Sequence, residues 1–468
     1  MNNKGQITVF VSLIISIMLI LGITAYNVIN INLVKEKCVI NTRIIVSSVK
    51  SEYESYVFDN YHILLFDKNY DGITEEEKEQ ALKELMQSNV GGTIGVNNVD
   101  ITCYKYLLEN ECEEFKKQIE DYMKYAIVEY SFEEIMDKIN GSNVVVDEDT
   151  ISDMDDAQNQ ESTDEESSQE DTETDDSEEE VEDPRTFTAS IEEAGVLSVV
   201  LPEDMEVSNI HIDLSEVPSE GVETEFEGID GSFSDLDILQ QDLNINGSWL
   251  EKIKSDASAV LYSRLVFNCA TSSEINTETV FKCEREYLIA GKDSDYENLE
   301  NVVLRITALR LPVNFIYLLS DVEKMSVIEP VAEALFLATG VPSPVYKYLI
   351  AGCWSYVEAL AEIKNLLKGE RQDFIKTKEN WITDLDNLEQ SINDGASSNT
   401  GLSYEDYLML LTALNTDDMY MRMLDLIQLN TQIHSPAFKI ENAVTDITIQ
   451  TECEYMGKKY LIEHTGGY

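Results

Sequence analysis

The chain opens on an unbroken apolar run. No Asp, Glu, Lys or Arg stands between Lys4 and Lys35, and the densest apolar stretch runs from Ile7 to Ile31. A bilayer span needs roughly 20 mainly apolar residues at helical rise. Inside lipid an isolated segment must pair its amides within itself, which makes it a helix. Ser12, Ser16 and Thr24 can bond to the preceding turn, and Gly22 is tolerated in such a helix. A cleaved leader would have an apolar core of only about 7–15 residues and a small-x-small exit. The run is longer than that and "ITAYNV" is a poor exit. Residues 1–32 therefore read as a transmembrane anchor in contact with membrane lipid.

Beyond the anchor the period changes several times. Leu33, Cys38, Ile40, Ile44, Ile45, Val49 and Tyr53 keep a rough helical spacing, so the first helix continues past the lipid. "YHILLFD" (61–67) and "NVDITCYKYL" (98–107) predict strands, and Phe115 to Ile139 an amphipathic helix. "AGVLSVVLP" (194–202) predicts a strand closed by Pro202, followed by a polar, turn-rich stretch over 203–246. Trp249 to Phe267 predicts a helix, and "FKCEREYLIAG" (281–291) a strand ending in glycine. Ser294 and Glu297 have capping-box spacing and start a helix that Pro312 should kink or split. Helices follow over 327–339 and 345–367, the second too short in its apolar core to span lipid and stopped by Gly369. Ser403, with Asp406 three on, starts another helix, and a further one runs to about Leu429. "AVTDITIQTECEYMG" (443–457) alternates as a strand does.

Asp147 to Asp183 is a different material: 37 residues with 20 acids, no Lys or Arg and no aromatic. Such a segment buries too little apolar surface to offset its ordering entropy, and its charges repel. It reads as a disordered linker or insertion over 143–184. The parts before it (33–142) and after it (185–468) form an ectodomain. The first offers few strands, so one sheet drawing strands from both sides is preferred to two independent domains. The fold class is α+β: an N-terminal transmembrane helix, then a mixed helix and sheet ectodomain interrupted by the acidic segment.

The formal net charge of −57 makes nucleic acid an unlikely partner, since both would repel. Lys4 and the amino terminus before the span place the N-terminus in the cytoplasm and the bulk outside the cell membrane. The seven cysteines are scattered and form no metal motif; Cys103 and Cys112, nearest in sequence, could bridge, while most read as small core residues. "DKNYDG" (67–72) sets Asp67, Asn69 and Asp71 at the alternate positions of a calcium loop, but Lys78 stands where the closing acid belongs. The same residues build a bare turn, so the stretch carries no metal assignment. His62, His211, His434 and His464 lie far apart, and no nucleophile, zinc or phosphate motif is present. No catalytic, cofactor or metal residue is assigned, and the chain is expected not to be an enzyme.

The opening "KGQITVF" followed by an apolar helix and "VINTRIIVSSVKSEY" resembles the minor pseudopilins of tight-adherence (Tad) pili. Residues 4–13, 286–321, 401–411 and 424–430 are similar to segments of an uncharacterised clostridial family of membrane-anchored proteins. Pseudopilins cut by a prepilin peptidase carry Gly at the cut and Glu fifth after it; here Gly5 is followed at that place by Phe10, which fits an uncut anchored accessory. The resemblance implies a non-enzymatic surface protein, an accessory or structural component of a Tad-like pilus or surface assembly, with other assembly proteins as partners. The alternative is a surface ligand-binding or sensing ectodomain.

Overall fold

A computed structural model describes residues 3–69, 72–126, 184–220, 248–271, 276–340, 342–393, 398, 400–414 and 416–468. The acidic run, Asp71, the far end of the helix expected at 115–139 and most of 203–246 lie outside these residues. The fold is α+β. The chain forms two compact units: one from residues 1–119 and 431–468, the other from residues 120–430. The first unit is thus built from both ends of the chain.

In the first unit, α1 (Asn3–Lys50) is one helix through the apolar run and well beyond it. Its apolar side chains up to Ile29 are largely exposed. It is long and apolar enough to cross a membrane, a sign of a single-pass anchor. Further on, Cys38, Asn41, Thr42, Ile45 and Val46 are buried. Their spacing of three and four residues makes one stripe on the helix. This stripe packs with α3 (Glu75–Val90) and a four-stranded antiparallel sheet. The sheet comprises β1 (Phe66–Asp67), β2 (Gly95–Tyr106), β3 (Ala443–Tyr455) and β4 (Lys458–Gly467). The central strand is β3, paired with each of the others, so the strands come from both sides of the acidic run. A Cβ on Gly466 of β4 would come within 2.5 Å of Val46 Cγ1, so glycine there is what lets the strand lie directly on α1. The expected strand at 61–67 is mostly replaced: Ser55–Tyr61 is the short helix α2, and only Phe66 and Asp67 pair. The tail is a hairpin rather than a single strand, turned at Met456 and Gly457, both with positive φ. α4 (Glu109–Met123) completes the early part of the chain.

The second unit is helical among its described residues. It comprises α5 (Pro184–Ala194), α6 (Leu197–Val200), α7 (Ser248–Val266), α8 (Glu284–Ala290) and α9 (Asp295–Ser320). Next come α10 (Val322–Thr339), α11 (Ser343–Leu367), α12 (Leu388–Ser391) and α13 (Tyr404–Leu414). Last is α14 (Thr416–Gln432), whose residues to Asn430 belong to this unit. The strands expected at 194–202 and 281–291 are both corrected to helix, α6 and α8. Pro312 does not split α9; Ala308, Leu309, Leu311 and Val313 around it are buried, and packing holds the helix through the missing amide. By length and composition α9 could also span a membrane, but most of its apolar window is buried within the protein. α11 ends as expected at Gly369: Gly369 N–H donates to Leu366 O and Glu370 N–H to Asn365 O, the paired bonds of a Schellman motif.

Candidate functional site

Asp67 opens a turn. Its Oδ1 accepts the Asn69 amide at 2.7 Å, and Gly72 N–H donates to Asn69 O. Burial pushes the Asp67 carboxyl above its ordinary range. Glu77 is taken up in a capping box with Thr74 at the start of α3. Asp71 lies outside the described residues. Cys103 and Cys112 are not bridged; the first is exposed and the second buried.

A polar network lies inside the second unit, centred on α8, whose seven residues are all buried. Three acids clamp the chain around it. Glu284 accepts from the Asn268 amide (2.8 Å) and Asn430 Nδ2 (2.7 Å). Glu286 accepts from the Ala270 amide (3.0 Å) and the Tyr404 hydroxyl (2.9 Å). Asp295 accepts from the Lys282 and Cys283 amides. Burial raises all three carboxyls, Glu284 to about 8. The Tyr287 hydroxyl donates to Asp425 at 2.8 Å, and Arg422 donates to the Leu288 and Ile289 carbonyls at the end of α8. A second cluster joins α9 to α11. Arg310 makes two hydrogen bonds to Glu362, at 2.8 and 2.6 Å, and Lys376 lies 2.5 Å from both Glu358 and Glu362. Burial pushes the Glu362 carboxyl up, but Arg310 and Lys376 outweigh it and hold it below the ordinary range.

The segments at 286–321, 401–411 and 424–430 are therefore brought together in space. Glu286 meets Tyr404 and Tyr287 meets Asp425, and Arg285, one residue before the first segment, meets Glu405. A family model spans all of them, matching residues 174–455. The chain belongs to DUF5702, a family of unknown function. No curated protein and no solved structure matches it. The DUF5702 region thus includes the whole buried network. Its carboxylates hold backbone amides and its cations hold carboxylates and carbonyls, which fixes packing. Paired buried charges of this kind cost desolvation and give specificity of arrangement more readily than net stability.

His211 Nδ1 lies 2.8 Å from Asp293 Oδ1, and Glu297 joins them with ligand atoms all within 4.8 Å. The Ile212 amide on the Asp293 carbonyl, and the Tyr296 amide on the Ser208 carbonyl, set the two segments side by side. One nitrogen and two carboxylates could hold a borderline divalent cation. Sequence reading missed this group because His211 and its acids are far apart in the chain; only the i, i+4 spacing of Asp293 and Glu297 was visible. In the first unit a cavity of about 510 Å³ is lined by Asn30, Val34 and Lys37 of α1, with Ile94, Tyr455 and Met456. Lys37 Nζ donates to the Val90 carbonyl at 2.7 Å beside it.

Proposed function

We propose that this DUF5702 protein is a single-pass membrane protein whose bulk lies outside the cytoplasm. It works by contact, as an accessory of a Tad-like pilus or related surface assembly, and not by catalysis. The observation that supports this is the double character of α1. Its exposed apolar length continues, with no Gly or Pro after Gly22, into a stripe buried against an antiparallel sheet. A pilin-like subunit uses the same layout, a membrane helix that becomes part of the folded head. Lys4 before the span supports a cytoplasmic amino terminus. A second reading, a surface ligand-binding domain, draws on the cavity beside Lys37.

The span has a face suited to helix contact. Ser12 and Ser16 lie four apart, and their hydroxyls donate to Val9 O and Ser12 O of their own helix. They leave a low profile without an unpaired group, which permits close approach of another helix. Cysteines placed along this face should crosslink to a partner span, and Leu at positions 12 and 16 should abolish it. Protease added to wall-free cells should digest the chain beyond residue 50. A polyleucine anchor that restores full function, with no crosslink in the natural span, would leave only a tether. Protection from protease would reverse the topology.

A further inference from the structure

We propose that Cys38 of α1 and Cys453 of β3 form a disulfide bond that ties the membrane helix to the carboxyl-terminal sheet. Both side chains are fully buried in one apolar cluster, unbridged in this structure, and each thiol is the other's main electrostatic neighbour. The register around them is fixed independently. Thr42 lies one helical turn after Cys38, and its hydroxyl meets that of Thr451 at 2.8 Å. Thr451 lies two residues before Cys453, on the same face of the strand. One matched pair therefore sets the other. The cysteines nearest in sequence, Cys103 and Cys112, have no such relation: one is exposed and the other buried.

The chemistry is thiol–disulfide exchange. The two thiols lose two protons and two electrons as the sulfur–sulfur bond forms. An exchangeable disulfide, from a dithiol oxidoreductase or a small molecule such as oxidised glutathione, takes them and becomes two thiols. Exchange occurs before the sheet closes over α1; afterwards the buried sulfurs are shielded from reductant. The bridge encloses residues 39–452, which include the acidic run and the whole second unit. A protease cut within that stretch would leave both pieces covalently joined to the anchor. This inference rests on the extracytoplasmic placement proposed above only for its oxidant.

The test begins with full-length chain purified from its membrane, its thiols blocked in denaturant without reductant. Peptides carrying Cys38 and Cys453 should appear as one linked species that separates on reduction. Chain nicked between residues 50 and 440 should run as one band without reductant and as fragments with it, and Cys453→Ser should remove the difference. The purified chain is also refolded in a glutathione redox buffer. A bridge formed there but absent from cells supports the pairing and overturns the extracytoplasmic placement. Blocked thiols at both positions in both preparations, or a bridge from Cys38 to Cys103 or Cys112, overturns the pairing itself.

Discussion

Gly291 closes α8 and is a point where a single methyl group should be costly. Its φ is +65°, and a Cβ there would lie 2.8 Å from Arg422 Cζ. Arg422 is itself buried, and its Nη1 donates to the Leu288 and Ile289 carbonyls at 2.9 and 3.0 Å. Gly291→Ala therefore imposes two costs. The left-handed backbone costs an alanine about 1 kcal/mol. Displacing the guanidinium strips two buried carbonyls of a charged donor, about 2–4 kcal/mol together. A total of about 3–5 kcal/mol is a large fraction of a domain's stability. The assay is urea unfolding of the detergent-solubilised chain, followed by tryptophan fluorescence. Trp354 and Trp381 are buried in the second unit, and Trp249 falls in it too, so the signal reports that unit. With a slope of about 2–3 kcal/mol per molar urea, the midpoint should fall by 1 M or more, order of magnitude. Gly291→Asn tolerates the backbone better but meets the same guanidinium, so it should fall between alanine and the natural chain. An alanine variant within about 1 kcal/mol of the natural protein would refute the argument, because neither strain nor displacement would then be acting.

Thr74→Ala removes one half of the capping box on α3, and loss of about 1 kcal/mol should cut hydrogen-exchange protection of the early α3 amides about fivefold; unchanged protection would mean the cap is idle. His211 should titrate above its ordinary 6.5 because Asp293 bonds and attracts its charged form. It contributes stability that is full below that value and lost as pH rises through the shifted one. Asp293→Asn should return the ring titration, read by NMR, toward normal; an unmoved titration would exclude that cause. The folded pKa of Glu284, about 8, lies above its ordinary 4.5 through burial, so its contribution is full below about 4.5 and fades as pH rises through about 8. Glu286 and Asp295 shift the same way. The urea midpoint of the second unit should fall from pH 5 to pH 9, less steeply in Glu284→Gln; a midpoint that rises would contradict the assignment.

What could be read from the sequence followed the strength of the periodic signal. The stripe from Cys38 to Val49 and the alternation over 443–455 each face one apolar layer, so both were legible. The run 281–291 was not. Every residue of α8 is buried, the charged Glu284, Arg285 and Glu286 included, so its polar residues mark no solvent face, and so short a run looks alike in either state. Gly291 was visible as a stop, but glycine ends both kinds of element. The second strand of the tail hairpin was missed because Met456–Gly457 lacks the Asn-Gly signal that such turns favour. The buried network was hidden by abundance: with 90 acids in the chain, nothing in one sequence marks Glu284 or Glu362 as buried. The Cys38–Cys453 contact was hidden by separation, since its members sit near opposite ends of the chain and only the sheet brings them together.

The passage of α1 from apolar exposure to burial has a mechanical consequence. A hinge between a membrane span and a folded head needs a break in amide pairing, commonly at Gly or Pro. None stands between Ile23 and Lys50, and the helix is unbroken over that length. Its buried stripe is pinned at several levels. Lys37 bonds the Val90 carbonyl, Thr42 meets Thr451, and Val46 sits over Gly466. Rotation of the span about its axis must therefore carry the sheet with it. A helix contact in the membrane would then set the orientation of the first unit directly, with no flexible joint to average it away. Two glycines inserted after Lys35 separate this from tethering: span crosslinks should persist while any function that depends on orientation is lost. Full function with the glycines in place would show that the continuity of α1 is not used.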